Sequence, residues 1–142
     1  MPAESWKALI EKLTERFEVI EVGTQPLFPG HDFGPRFHSF AGATTLTDFV
    51  WIMSQGSVFV GPSSGGMHIA NAFRVPSVII FGGYESPTGY GYSGATFYSA
   101  VPCAPCWTTV PCPYDLKCLR MIAPETVFAA VCGAVEKVGG TS

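Results

Sequence analysis

The chain has 142 residues, of which 47% are hydrophobic and only 13% are charged, and its formal net charge is −3. The length suits one domain with its own core. A mildly acidic balance without a block of Lys or Arg argues against binding to nucleic acid or to an anionic membrane surface. A typical soluble domain is about 25% charged. We therefore expect part of this surface to be covered by another domain, a second copy of the chain or a partner.

The sequence contains no apolar run of the roughly 20 residues that a transmembrane helix needs. Its first residues, MPAESWKALIEK, lack the apolar core of a signal peptide. These features predict a cytoplasmic protein without a transmembrane segment.

Hydrophobic periodicity divides the chain into alternating helices and strands. The predicted helices span residues 4–17, 46–55, 65–73 and 124–138, and the predicted strands span residues 18–22, 57–61 and 77–81, with a further strand near 95–100. The strands at 57–61 and 77–81 are apolar throughout, which is typical of a parallel sheet covered on both faces. We predict one α/β domain over residues 1–142, doubly wound and Rossmann-like, with helices on both faces of the sheet.

The stretch VFVGPSSGGMH connects a predicted strand to a predicted helix. Gly65 and Gly66 would let the backbone approach a ligand, and the free N–H groups of a helix N-terminus attract anions. Ser63 and Ser64 could cap the helix or donate hydroxyls to a phosphate or a sugar, and His68 lies near the first turn. Two interpretations stay open here: an anion-binding site, or a turn that only starts a helix and holds a structural histidine.

The same region carries a resemblance to a known family. GPSSGGMHIANAFRVPSVIIFG resembles the signature of glycosyltransferase family 9, the ADP-heptose heptosyltransferases, which commonly reads G-P-D-[ST]-G-P-M-H-L-A-A-A-L-G-x-P-x-x-x-[LI]-F-G. The preceding FAGATTLTDFVWIMSQGSVFVG is similar to the family as well, and the agreement resumes at the cysteines. The resemblance implies the C-terminal, donor-binding half of a GT-B enzyme. Its donor would be a nucleotide-diphospho-sugar, similar to ADP-heptose.

The resemblance also implies roles for individual residues. The donor diphosphate would lie at Ser64, Gly65 and Gly66, and Met67 and His68 match the Met-His pair that lines the nucleotide-sugar site of the family. In the family the loop after the next strand runs near the donor. Here that loop is GGYESPTGYGYSG, residues 82–94, which we call the tyrosine loop. In it Glu85 could accept from ribose hydroxyls, and a tyrosine could stack on adenine.

The sequence departs from the family in two ways. Ser63 stands where the family has an acid that contacts sugar hydroxyls, and a serine cannot supply a charge-assisted acceptor pair, which puts heptose as the sugar in question. Gly66 replaces the usual proline, a milder change. The acceptor-binding half of the family, which holds its general base, has no counterpart in these residues, so we assign no catalytic residue. The alternative function is a non-catalytic, metal-stabilised binding or assembly protein. A separate acceptor domain or a homo-oligomer would be its partner.

Four cysteines lie within 16 residues, at Cys103, Cys106, Cys112 and Cys118. The spacing C-x2-C-x5-C-x5-C suits a tetrahedral thiolate site for zinc or iron, while two disulfides or free thiols are the alternatives. We predict a cysteine-rich insertion over residues 103–118 that binds a structural metal. The motif resembles the autotransporter heptosyltransferase branch of the family, which implies an iron site and assembly into large oligomers. The fifth cysteine, Cys132, is predicted to be a buried apolar residue in the last helix.

Overall fold

The computed structural model describes residues 1–92, 94–107 and 111–140. Helices and strands alternate along most of this chain, as the periodicity predicts. The helices are α1 (Ala3–Thr14), α2 (Leu46–Gln55), α3 (Gly65–Ala72), α4 (Lys117–Arg120) and α5 (Pro124–Gly139), and the strands are β1 (Val19–Glu21), β2 (Phe37–Ser39), β3 (Phe59–Pro62), β4 (Ser77–Gly82) and β5 (Gly94–Tyr98). A 3-10 turn covers Pro87–Gly89. In these ranges no helix combines the length and the apolar character needed to cross a bilayer.

Every strand pairing in this part of the chain is parallel. One sheet has the order β3-β4-β5, and a second sheet contains β1 and β2. The predicted parallel α/β architecture is confirmed. The strands nevertheless form two sheets, and the reversal of strand order that defines a doubly wound sheet does not occur among the described strands.

Strand β4 is the centre of the core, because all six of its residues are buried. Successive side chains of a strand point to opposite faces. Val78 and Ile80 therefore pack with residues of α1 and α5, whereas Ile79 and Phe81 pack with Met67 of α3. The prediction of helices on both faces of the sheet is confirmed at this strand.

Strand β3 is less buried than predicted. Phe59 and Val60 are half-buried, and only Gly61 is buried, because β3 is an edge strand of the three-stranded sheet. Two short elements were not predicted. Strand β2 lies between the predicted strand at 18–22 and the predicted helix at 46–55, and it depends on pairing with β1. The four-residue α4 is too short to show a periodicity.

Helix α2 begins where the sequence predicts. Thr45 and Asp48 form a capping box, in which the Asp48 N–H donates to Thr45 Oγ1 at 3.2 Å and the Thr45 N–H donates to Asp48 Oδ2 at 2.9 Å. The Thr45 hydroxyl also donates to this carboxylate, and these hydrogen bonds hold the pKa of Asp48 below its usual range.

The outer side of α2 is apolar and exposed. Leu46 is 75% exposed, Trp51 is 64% exposed and Phe73, just beyond α3, is 51% exposed. Together with Val50 they line an open groove of about 430 Å³, whose other lining residues are Thr47 and Ser54. Among the described residues, no charged side chain lines this groove. We call the four apolar residues the α2 apolar surface. The low charge content of the sequence is thus expressed in part as an exposed apolar surface, and its coverage by another domain or chain stays a prediction.

Candidate functional site

The candidate site lies where β3 ends and α3 begins, beside the carboxyl end of β4. Ser64 occupies the N-cap position in an extended conformation, with φ −155° and ψ 180°, and its side chain makes no capping hydrogen bond. The Met67 N–H donates to the Ser64 carbonyl at 3.0 Å. The earlier N–H groups of α3, those of Gly65 and Gly66, receive no side-chain cap from Ser64. The first turn of α3 therefore has the open donors of an uncapped helix N-terminus.

Exposure separates the residues predicted for this site into two groups. Residues three or four positions apart share one side of a helix. The exposed group consists of Ser64, Gly65 and His68, and the buried group consists of Gly66 and Met67. Ser63 is half-buried. The exposed group lies on one side of the first turn of α3. This group and the half-buried Ser63 are placed to meet a ligand directly with their side chains or Cα atoms.

Gly66 and Met67 face the core rather than the opening. A Cβ atom at Gly66 would lie 3.0 Å from Cζ of Phe59, so the absence of a side chain lets the Phe59 ring pack against α3. The Met67 side chain is 2% exposed and packs with Ile79 and Phe81. The predicted ligand role of these two residues stays a prediction, and the structure gives both of them a packing role that the sequence pattern does not reveal. At Gly65, by contrast, a Cβ atom would meet nothing within 4 Å.

The tyrosine loop packs beside this first turn of α3. Nδ1 of His68 lies 2.7 Å from the Tyr92 hydroxyl, and the rings of His68 and Tyr90 are 5.8 Å apart. The Tyr90 and Tyr92 rings are 5.7 Å apart. His68 and Tyr92 are 24 positions apart in the sequence, so no local pattern predicts their contact. The fold joins them because β4 delivers the loop to the edge where α3 begins.

Glu85 belongs to the same loop but turns inward. It is 9% exposed, and its Oε2 accepts a hydrogen bond of 2.7 Å from the Tyr90 hydroxyl. This hydrogen bond, with desolvation, raises the pKa of Tyr90 above its usual value. The hydrogen bond between Tyr90 and Glu85 therefore stabilises the conformation of the loop at neutral pH. The predicted role of Glu85 as an acceptor for ribose hydroxyls stays a prediction.

The four cysteines of the predicted metal module are free thiols, Cys103 and Cys106 being exposed and Cys112 and Cys118 half-buried. Gly83 brings two parts of this segment together. Its carbonyl accepts from the Cys106 N–H at 3.0 Å, and a Cβ atom on Gly83 would lie 3.1 Å from the Cβ atoms of both Ala104 and Cys118.

The structure does not assemble the complete thiolate site. Within residues 1–92, 94–107 and 111–140, no group of three or more His, Cys, Asp or Glu side chains is close enough to hold a metal ion. The donor set itself, four thiols without a disulfide, suits zinc or iron. Residues 108–110, between Cys106 and Cys112, lie outside the described part of the chain.

Comparison with known proteins identifies the family of the chain. The model of glycosyltransferase family 9 (heptosyltransferase) matches residues 1–108 of the chain. The chain therefore belongs to glycosyltransferase family 9. The match begins well before the motif stretch and includes α1, so it covers more of the chain than the quoted signatures do. No curated protein sequence matches the chain.

Solved structures show the same fold. The dodecameric iron-containing heptosyltransferase TibC of enterotoxigenic E. coli, in complex with ADP-D-β-D-heptose, has a TM-score of 0.69 and 22% identity, over 95% of this chain and 40% of TibC. The E. coli ADP-heptose LPS heptosyltransferase II has a TM-score of 0.73 and 18% identity, over 98% of this chain and 43% of that one. At these identities the likeness concerns the fold. The chain spans less than half the length of either enzyme.

The contrast between the two glycines gives a direct test of the packing at α3. We expect Gly66→Ala to destabilise the fold by about 1–3 kcal/mol, because the new methyl group overpacks against Phe59. Gly65→Ala is the matched control and should be neutral or slightly stabilising, since its Cβ meets open space and alanine favours a helix. Urea unfolding measures both. Equal stabilities of the two variants would contradict the packing role of Gly66.

Proposed function

We propose that the chain is the nucleotide-diphospho-sugar-binding domain of a family 9 glycosyltransferase, with a donor similar to ADP-heptose. The observation that carries the proposal is the uncapped N-terminus of α3, with Ser64, Gly65 and His68 exposed on one side, within the stretch that matches the family. The presence of ADP-D-β-D-heptose in the TibC structure supports this choice of donor.

The chemistry of this site would be stabilisation of negative charge. The N–H groups of Gly65 and Gly66 and the positive end of the helix dipole would hold the diphosphate. In a transfer reaction they would stabilise the same diphosphate as it leaves the sugar. Ser63, half-buried beside them, would offer a neutral hydroxyl to the sugar in place of the family's carboxylate. We therefore propose that the sugar pocket differs from that of the heptose enzymes.

Transfer itself would need an acceptor-binding half. The chain spans 40% to 43% of the heptosyltransferases to which it is similar. We propose that this half is supplied by a further domain or by a separate chain, and that the described residues bind the donor without turning it over on their own.

The first test is ADP binding measured by calorimetry. We expect ADP to bind the wild-type chain, and Gly65→Asp to weaken its affinity at least about tenfold, because a carboxylate at the helix N-terminus repels the diphosphate. Gly65 is the right position, since its Cβ meets open space and the fold is not strained.

The matched control is Gly133→Asp, which adds the same charge to α5 at a position where a Cβ atom also meets nothing within 4 Å. It should bind ADP as the wild-type chain does. A wild-type chain that fails to bind ADP at millimolar concentration would contradict the donor-binding proposal, as would equal affinities of the two aspartate variants.

We also propose that Cys103, Cys106, Cys112 and Cys118 hold a structural zinc or iron ion. Support comes from the four free thiols, from the approach of Cys118 to the Cys103–Cys106 turn at Gly83, and from the iron in TibC. Four thiolates would fill a tetrahedral site, so the ion would supply folding energy and bind no substrate. Such a thiolate site needs reduced cysteines, which a reducing compartment provides, and we propose that the protein is cytoplasmic.

Metal analysis of the purified chain tests this site. We expect about one zinc or iron per chain and a fall to less than about half of that in Cys118→Ser, together with a lower unfolding temperature. Cys132→Ser is the control, because Cys132 lies in α5 outside the cluster, and it should keep the metal. Metal-free wild-type protein, or equal metal loss in both variants, would contradict the proposal.

The alternative function, an assembly protein, is favoured by a separate observation, the α2 apolar surface. We propose that a second copy of the chain covers it. No charged residue of the described part of the chain lines the groove, so two copies would not repel each other there. The TibC neighbour is a dodecamer.

Light scattering after size exclusion tests this assembly. We expect Leu46→Glu to shift the wild-type oligomer toward monomers, because it places a charge in the groove at the first position of α2, where an acidic residue also favours the helix. Leu27→Glu is the control at an exposed leucine outside the groove and should leave the assembly unchanged. A wild-type chain that is monomeric at every concentration tested would contradict the assembly function.

A further inference from the structure

We propose that Tyr92 is a positioning residue for His68. By hydrogen bonding to Nδ1 it would fix the tautomer and orientation of the imidazole, so that Nε2 presents an N–H donor beside the first turn of α3. The proposal deepens the proposed function of this site and rests on it for the ligand, whereas the contact itself is a property of the free chain.

The geometry defines the contact well. The Tyr92 hydroxyl lies 2.7 Å from Nδ1 of His68, and the two rings meet edge to face at 86° with centroids 5.7 Å apart. The Tyr90 ring lies 5.8 Å from the imidazole, so a second aromatic ring of the loop limits its rotation. Among the described residues, Nε2 of His68 has no hydrogen-bond partner, and the side chain is exposed.

The 2.7 Å contact fits either atom as the donor, and we assign the shared proton to the Tyr92 hydroxyl. A phenolic hydroxyl carries its proton at neutral pH and is a good donor, whereas a neutral imidazole has one nitrogen that donates and one that accepts. With Tyr92 donating to Nδ1, the imidazole proton resides on Nε2. The exposed nitrogen of His68 is then a donor.

The tautomer decides whether Nε2 of His68 attracts or repels the oxygen atoms of a diphosphate. A donor at Nε2 has the same polarity as the open N–H groups of Gly65 and Gly66, so all three would favour the oxygen atoms of a diphosphate. The other tautomer would turn a lone pair toward those oxygens and repel them. Tyr92 would therefore make the histidine complementary to an anion without requiring a protonated imidazole.

Nitrogen NMR of the free chain tests the tautomer. The sequence has three histidines, and His68→Gln identifies the signals of His68. We expect the wild-type chain to show an Nε2–H tautomer with a hydrogen-bonded Nδ1, and Tyr92→Phe to lose that hydrogen bond and show a mixture of tautomers. Tyr90→Phe is the matched control, since the Tyr90 hydroxyl bonds to Glu85 rather than to His68, and it should keep the wild-type tautomer.

ADP affinity provides the second readout. We expect Tyr92→Phe to weaken ADP affinity about three- to tenfold, because His68 would no longer hold its Nε2–H donor in place for one hydrogen bond to the ligand. An Nδ1–H tautomer in the wild-type chain would overturn the proposal, and so would a Tyr92→Phe variant with an unchanged tautomer. Because the tautomer is measured without ligand, it decides the role of Tyr92 even when the wild-type chain fails to bind ADP. Failure of the wild-type chain to bind ADP would overturn the proposed function but not the role of Tyr92.

Discussion

The burial of β4 on both faces is the constraint on which the rest of the structure depends. Its alternate side chains pack against α1 and α5 on one side and against α3 on the other. This double contact fixes where α3 begins and where the tyrosine loop leaves the sheet, and it places both at the same edge. α/β proteins bind their ligands at the carboxyl ends of the strands of a parallel sheet, because helix N-termini and loops converge there. The candidate site is a consequence of that packing.

The sequence predicts the elements that have strong local signals. The start of α2 follows from the Thr45–Asp48 capping box, and β4 follows from an uninterrupted apolar run. The short strand β2 and the division into two sheets depend on pairing between distant residues, which periodicity does not register. The candidate site is likewise predicted only in part from local sequence signals. Its position at residues 63–68 comes from the motif, but the contact between His68 and Tyr92 and the fit of Phe59 against Gly66 exist only after folding.

Glycines in one short motif can serve unrelated purposes. Gly65 leaves open space at the helix mouth, whereas Gly66 leaves room for an aromatic ring of the neighbouring strand. A motif comparison gives both positions the same interpretation, as contacts of the donor diphosphate. Their surroundings distinguish an opening from a packing requirement, and the distinction decides which of the two positions can carry a probe of ligand binding without damaging the core.

Gly83 joins the two candidate functional regions of the chain. It is the first residue after β4, and its carbonyl accepts a hydrogen bond from the Cys106 N–H. A Cβ atom on Gly83 would lie 3.1 Å from the Cβ atoms of both Ala104 and Cys118. The cysteine segment and the tyrosine loop thus share one anchor point. The one backbone position after β4 therefore serves as the common attachment of both regions, so the sequence at Gly83 is constrained by the cysteine segment as well as by the loop.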